Sequence, residues 1–253
     1  MSPQRLRATA PVAIAEQARK SLLTMFLLMG MVSMGWIPRI PEIKDAIGLS
    51  NGEFGFVLLA STFGSVAGAQ IGGRAIHTFG SRRVTQVAIL IMPLGLAGMG
   101  LANSGLALVI SLFTMGFGYS LMDICLNAQG FTVERIIKKR CMSTLHAMWS
   151  VGAFLTTVIG GSVARFVSYD INLVAIAIFA AIAFIPAAFF LLPGDLDEHD
   201  GGEEETSAKI PLFGKSVVPL WGLGIGLFGC LIAEGAASDW AGILLRDDMG
   251  YGK

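Results

Sequence analysis

Between its charged clusters the chain carries apolar runs of about 17 to 26 residues. About 20 apolar residues wound as a helix cross the hydrocarbon of a bilayer. A helix also satisfies its backbone N–H and C=O groups internally, as a lipid setting demands. The expected fold class is therefore an all-α membrane protein that crosses the bilayer several times. Composition agrees: 54% of residues are apolar and 14% charged, whereas soluble domains carry about a quarter charged residues. The formal net charge of +0 leaves no basic excess to attract nucleic acid, so membrane lipid is the expected surrounding and nucleic acid is not an expected partner.

Motifs of soluble enzymes are missing. There is no phosphate loop, nucleophile elbow or His/Cys set at metal-ligand spacing. His77, His146 and His199 stand far apart. Neither an enzyme, a cofactor nor a metal is implied. Cys125, Cys141 and Cys230 are odd in number and two fall inside apolar runs, which fits small apolar filler rather than a disulfide framework. The N-terminus reads as a polar tail followed by a retained first span, because the run after Lys20 lacks a small-residue cleavage site.

The first span is expected over Ser21 to Ile37, with Trp36 at an interface. Two prolines then break the chain at Pro38 and Pro41. Ser50 and Glu53 have the spacing of a capping box that opens the second span, about Phe54 to Ile71. Gly64, Gly68 and Gly72 in that span form a packing seam. A short basic turn, Gly73 to Arg83, leads to a third span over Val84 to Ala102, with Pro93 inside it. After the turn at Asn103–Gly105, a fourth runs from Leu106 to Glu134 and ends in a charged link, Glu134 to Arg140. A fifth is expected over Met142 to Val167 and a sixth over Ile171 to Leu192.

From Pro193 to Ser216 the composition turns acidic, with Asp195, Asp197, Glu198, Asp200, Glu203, Glu204 and Glu205 beside two lysines, as in a solvated linker. A glycine-rich seventh span follows at about Val217 to Ala237. Lys and Arg set orientation. With the N-terminus in the cytoplasm, 13 of the 18 fall on cytoplasmic segments; Arg39, Lys44, Arg165, Arg246 and Lys253 are the five outside. The expected layout is a cytoplasmic tail (1–20), a six-helix transmembrane bundle (21–192), an acidic cytoplasmic linker (193–216), a seventh span (217–238) and a short periplasmic end (239–253).

One stretch departs from apolar filling: GFGYSLMDICLNAQGFTVE, Gly116 to Glu134. At about 100° per residue, Tyr119, Asp123, Asn127, Gly130 and Glu134 form one stripe, with apolar residues on the other faces. A carboxyl inside a span belongs on a bundle interior or a water-filled path. In low dielectric the neutral form gains ground, so such a group takes up and releases protons. Asp123 is thus the first candidate proton carrier. Asn127 binds substrate hydroxyls or holds Asp123. On the next helix Ser143, His146, Ser150 and Thr157 share a face. His146 relays protons or bonds cargo on one reading, and partners Glu134 at a cytoplasmic gate on the other. Glu134 and Arg140 also suit a surface pair. Glu234 lies within the seventh span as a cavity candidate, while Asp239 and Trp240 suit an interface cap.

Six spans, a long linker and a seventh span resemble the major facilitator superfamily, whose members join two six-helix bundles through a cytoplasmic linker. Its signature turn between helices 2 and 3 reads roughly G-x-L-A-D-R-x-G-R-R. Gly73, Gly80, Arg82 and Arg83 match it, while His77 and Thr78 replace its Asp and Arg. The resemblance makes Gly73, Gly80, Arg82, Arg83, Glu134 and Arg140 candidate gating residues. The runs WIPRIPEIKDAIGLS, MDICLNAQGFTVE, MSTLHAMWSVG and AEGAASDWAGILLRD are similar to YbjJ-like bacterial inner-membrane proteins, neighbours of the fucose permease group. In fucose-permease-like symporters helix 4 carries an acid and, four residues on, an asparagine. Asp123 and Asn127 look like that pair, though Ser21 to Ile37 lacks the helix 1 acid of those symporters.

The resemblance implies a bacterial inner-membrane secondary transporter, moving a small solute of a sugar-like class with protons by alternating access. It implies about five further spans to complete a C-terminal bundle, without which this stretch is expected to transport nothing. Proton-antiport efflux of an apolar compound is the second transport reading. A non-transporting membrane protein that recruits partners through the linker is the third.

Overall fold

The computed structural model describes residues 3–197 and 217–250. The chain divides into two compact units at Asp197, and each is described by itself. In the first unit α1 (Pro3–Met34) meets a 3-10 turn at Ile37–Arg39 and a short α2 (Ile40–Ile47), followed by α3 (Asn51–Phe79), α4 (Ser81–Leu101), α5 (Gly105–Ile137), α6 (Met142–Val163) and α7 (Tyr169–Phe189). The second unit holds α8 (Val218–Ile243), which continues into a π-helical turn at Leu244–Asp248. Among the described residues seven segments are long and apolar enough to cross a membrane, with α1 and α2 forming one of them. The all-helical architecture expected from the apolar runs is the one observed.

The element ends show where local chemistry governs. Ser50 caps α3 through the expected box: its hydroxyl accepts the N–H of Glu53, whose carboxylate accepts the N–H of Ser50 at 2.9 Å. Pro38 and Pro41 fall at the corner between α1 and α2, where a regular helix stops. Two expectations need correction. The tail expected over residues 1–20 is helical from Pro3. The basic turn expected over Gly73–Arg83 shrinks to Gly80, because α3 continues to Phe79 and α4 starts at Ser81. Gly80 has φ of +80°, a region that suits glycine, so a single residue reverses the chain. Gly73 is simply helical.

Helix α5 is the spine of the first unit and packs against α3, α4, α1 and α6, while α7 packs on α4 and α1. The glycine seam is real and its partner is α5. A Cβ at Gly64 would strike the carbonyl oxygen of Phe113, and one at Gly68 that of Phe117. From the other side Gly116 faces the carbonyl of Ser61. Side-chain-free contact brings the two backbones together, which maximises dispersion where lipid offers no hydrophobic drive. Around α5 the core is filled by Phe26, Met29, Met92, Leu96, Leu112, Met122 and Leu126, all nearly inaccessible.

Polar clasps close the two ends of the bundle. At one end Arg39 is fully buried and its Nη2 donates to Glu42 at 2.9 Å and to the carbonyl of Val167 at 2.6 Å, which ties the α1–α2 corner to the α6–α7 connection. At the basic end Ser21 donates to the carbonyl of Ala187, and Arg82 to that of Phe189 at 2.7 Å.

Candidate functional site

Asp123 sits just past the middle of α5, half-buried, between the buried Met122 and the half-buried Ile124. Four residues on, one helical turn, Asn127 donates its Nδ2 to Asp123 Oδ1 at 3.0 Å and to the Asp123 carbonyl at 2.8 Å. Its Oδ1 therefore points away from Asp123 and lies 3.2 Å from Nε2 of His146 on α6. Since an amide oxygen only accepts, that nitrogen donates and carries a proton in this arrangement. The His146 ring meets Phe26 of α1 edge to face, with centroids 5.2 Å apart and planes at 71°. Phe26 is itself fully buried. Three helices thus converge on a chain of contacts: Asp123, Asn127, His146, Phe26.

Tyr119 lies one turn before Asp123 on the same face, half-buried. Along α6, Ser143, His146, Ser150 and Thr157 are all exposed, as their shared face predicts. Ser150 donates to the His146 carbonyl and Thr157 to that of Ala153, so these hydroxyls are satisfied within their own helix.

Glu134 is placed differently from the gate reading that pairs it with His146. Its Oε1 accepts the backbone N–H groups of Cys141 and Met142, the latter at 2.8 Å. These are orphan donors at the start of α6. No salt bridge joins Glu134 to Arg140, which is exposed. The left-handed Lys138 (φ 54°) ends α5 just before this cap. Burial first, and the Glu134 carboxylate second, push the Cys141 thiol up from its ordinary range.

One polar residue of the same stretch escaped the stripe argument. Gln129 is fully buried; its Oε1 accepts the N–H of Leu192 at 2.8 Å and its Nε2 donates to Ser81 at 2.7 Å and to Asp197 at 3.1 Å. Ser81 also donates to the Asp197 carboxylate. Asp197 is therefore built into the bundle and is not part of a solvated linker, because its buried carboxylate meets two matched donors, while Gly194 and Asp195 before it stay exposed. The linker expected over 198–216 lies outside the described residues. A glutamine off the polar face of an apolar helix was the available signal.

The Major Facilitator Superfamily model matches residues 22–253. The chain belongs to the Major Facilitator Superfamily. This is a family of membrane transporters, not of enzymes. Similar proteins include the uncharacterized transporter y4wD of Sinorhizobium fredii, 30% identical over 89% of this chain and 58% of that protein. An uncharacterized MFS-type transporter of Yersinia pestis is 29% identical over 87% of this chain and 55% of its own length. A cis,cis-muconate transport protein of Acinetobacter baylyi is 29% identical over 47% of this chain and 29% of its own. The chain spans about half the length of the first relatives it matches.

In this facilitator chain the signature turn is a packing corner. Gly80 makes the reversal, Arg82 reaches the end of α7, and Arg83 is exposed. His77 and Thr78 occupy the last exposed turn of α3, and Thr78 bonds only its own helix, to Arg74 O. In the second unit, Glu234 and Asp239 both fall inside α8, and Asp239 accepts from Ser238 at 3.3 Å.

Proposed function

We propose that this facilitator chain forms one wall of a proton-coupled transport path, with Asp123 as the proton-binding group. The observation that carries the reading is the contact chain Asp123–Asn127–His146 on helices α5 and α6. A carboxyl in a span needs a polar interior, and the face of α6 with Ser143, His146, Ser150 and Thr157 brings polar groups to that side of the bundle. In the whole protein such a face would line a path at which a second bundle rocks. The acidic segment then runs on the cytoplasmic side, with the N-terminus, as the distribution of Lys and Arg supports.

The solute we favour is small, uncharged and rich in hydroxyls, a sugar-like class. Tyr119, Asn127, His146 and the α6 hydroxyls offer donors and acceptors, and the spans on either side bring no Lys or Arg to balance an anion: none stands between Lys20 and Arg39, Glu53 and Arg74, or Arg83 and Lys138 except Arg135. The relative whose name mentions a dicarboxylate matches under half of this chain, and this wall has no cation suited to such a cargo. Glu234 on α8 is kept as a second candidate acid of the whole protein, and Gly73, Gly80, Arg82 and Arg83 as candidates for a cytoplasmic gate. We read Glu134 as support for that gate, through the α5–α6 corner, and leave Arg140 at its surface.

The test is uptake by the full-length protein in proteoliposomes. Asp123→Asn should abolish accumulation driven by a pH gradient while leaving solute exchange intact. Undiminished accumulation would sink the proton-binding role.

A further inference from the structure

We propose that the α3–α4 hairpin carries a binding site for one anionic phospholipid, with an acyl chain in an apolar trough and the phosphate-bearing headgroup at Arg82 and Arg83.

The trough follows from how three helices pack. Gly64, Gly68 and Gly116 draw α3 onto α5. Gly95 and Gly118 draw α4 onto α5 in the same way, since a Cβ at Gly95 would strike Met115 and one at Gly118 would strike Met92. Each helix therefore leans on α5, and the two touch one another little. Toward their shared turn at Gly80 this leaves a trough of about 380 Å³. Ile71, Ala75 and Phe79 form one wall, Val84 and Val87 the other, and Leu121 of α5 the floor. Arg83 stands among these apolar residues as the one charged group. From Ile71 to Phe79 the wall is about two turns, roughly 12 Å of rise. That is close to one leaflet's share of a hydrocarbon core about 30 Å thick.

A second recess of about 530 Å³ adjoins the trough, and Phe79 and Arg83 line both. This recess is polar, with Arg82, Gln86 and Asp197 in its walls. Arg82 is held in place by its Nη2, which donates to the carbonyl of Phe189 at 2.7 Å. Arg83 is exposed, and among the described residues no acid pairs with it. Asp197, the acid in the wall, is already engaged by Ser81 and Gln129. Helix α3 has no acid after Glu53 and α4 has none. The rim is therefore cationic where the trough ends.

An apolar trough that meets two arginines fits an amphiphile with a negative head. A free phosphate would leave the trough unfilled. The acidic residues after Asp197 could reach for the arginines, but Glu198 to Glu205 brings no apolar side chain for the trough. Near a membrane surface each Lys or Arg favours an anionic lipid by about fivefold.

The test is native mass spectrometry of the 253-residue chain, stripped of lipid in detergent and offered equal phosphatidylglycerol and phosphatidylcholine. Phosphatidylglycerol should be retained in preference, and Arg83→Gln should cut that preference about fivefold. Lys139→Gln removes an exposed charge from the α5–α6 corner and should leave the preference nearly unchanged. Ala75→Phe, which fills the trough, should lower retention of phosphatidylglycerol. If that variant fails to fold, Val87→Trp on the exposed lip fills the same space. Soluble glycerol phosphate should not displace the lipid. Equal retention of the two lipids overturns the inference, as does an equal loss in Lys139→Gln, which would mean diffuse attraction. Retention that ignores a filled trough, or displacement by glycerol phosphate, also overturns it. So does a preference seen only once Glu203, Glu204 and Glu205 are changed to glutamine, because the recess would then belong to the acidic segment. The readout is lipid retention, so failure here leaves the transport reading untouched.

Discussion

Glu134, near the end of α5, accepts the backbone N–H of Met142, the first residue of α6, at 2.8 Å. The two helices therefore share a cap as well as a corner. Glu134→Ala should fray the first turn of α6, at a cost of about 1 kcal/mol, typical of a lost cap. Amide exchange at Cys141 and Met142 would report it. Glu134→Gln keeps an acceptor but removes the charge. Because that charge helps hold the Cys141 thiol above its ordinary range, the variant should bring it down, raise the thiolate fraction and speed labelling by maleimide at pH 8. Unchanged labelling would mean that burial alone controls the thiol.

Gln129→Leu should destabilise the bundle more than its shape suggests. The change is close to volume-conserving, yet it strips partners from Ser81, Asp197 and the Leu192 N–H, all buried. Ser81 and Asp197 keep each other, so the Leu192 N–H is the group left orphaned, at about 1–3 kcal/mol. Unfolding in mixed detergent should show a loss in that range or above it. A thermal midpoint equal to the parent's would contradict this account.

Gly68→Val should be poorly tolerated and Gly73→Ala accepted. A Cβ at Gly68 meets the Phe117 backbone, whereas nothing lies within 4 Å of one at Gly73. Overpacking of this kind costs about 1–3 kcal/mol, and expression of folded protein, followed by size exclusion, separates the two. If Gly73→Ala then lost transport while remaining stable, the signature position would act in gating and not in packing.

Phe26→Ala should free the His146 ring. The loss of a large buried aromatic costs about 3–5 kcal/mol, so Phe26→Leu is the more useful variant. It keeps the volume but removes the edge-to-face contact. Broader His146 ring signals with little loss of stability would be the expected result.

Spans were legible because a lipid-crossing helix must be long, apolar and internally bonded, and each of those leaves a mark on composition. The stripe was legible for the same reason: Asp123 and Asn127 are conspicuous in an apolar run, and one turn of spacing brings them into contact. His146 also showed, on a polar face of its helix. Its choice of Asn127 over Glu134 did not, because it depends on the axial offset of α6 against α5. That offset follows from the corner at Lys138–Cys141 and from the cap by Glu134. Asp197 was hidden for another reason. Acidic neighbours made it look solvated, and only the chain path after α7 brings it to Gln129.

That path has a mechanical side. Asp197 is fastened to Ser81 at the head of α4 and to Gln129 in α5, while Leu192 is fastened to the same glutamine. Tension applied to the chain after Asp197 is thus delivered to α4 and α5 before it can reach α7. Force on the chain at Asp197 would act on the helix that carries Asp123, through an anchor some 6 residues, about 9 Å, further along the same helix.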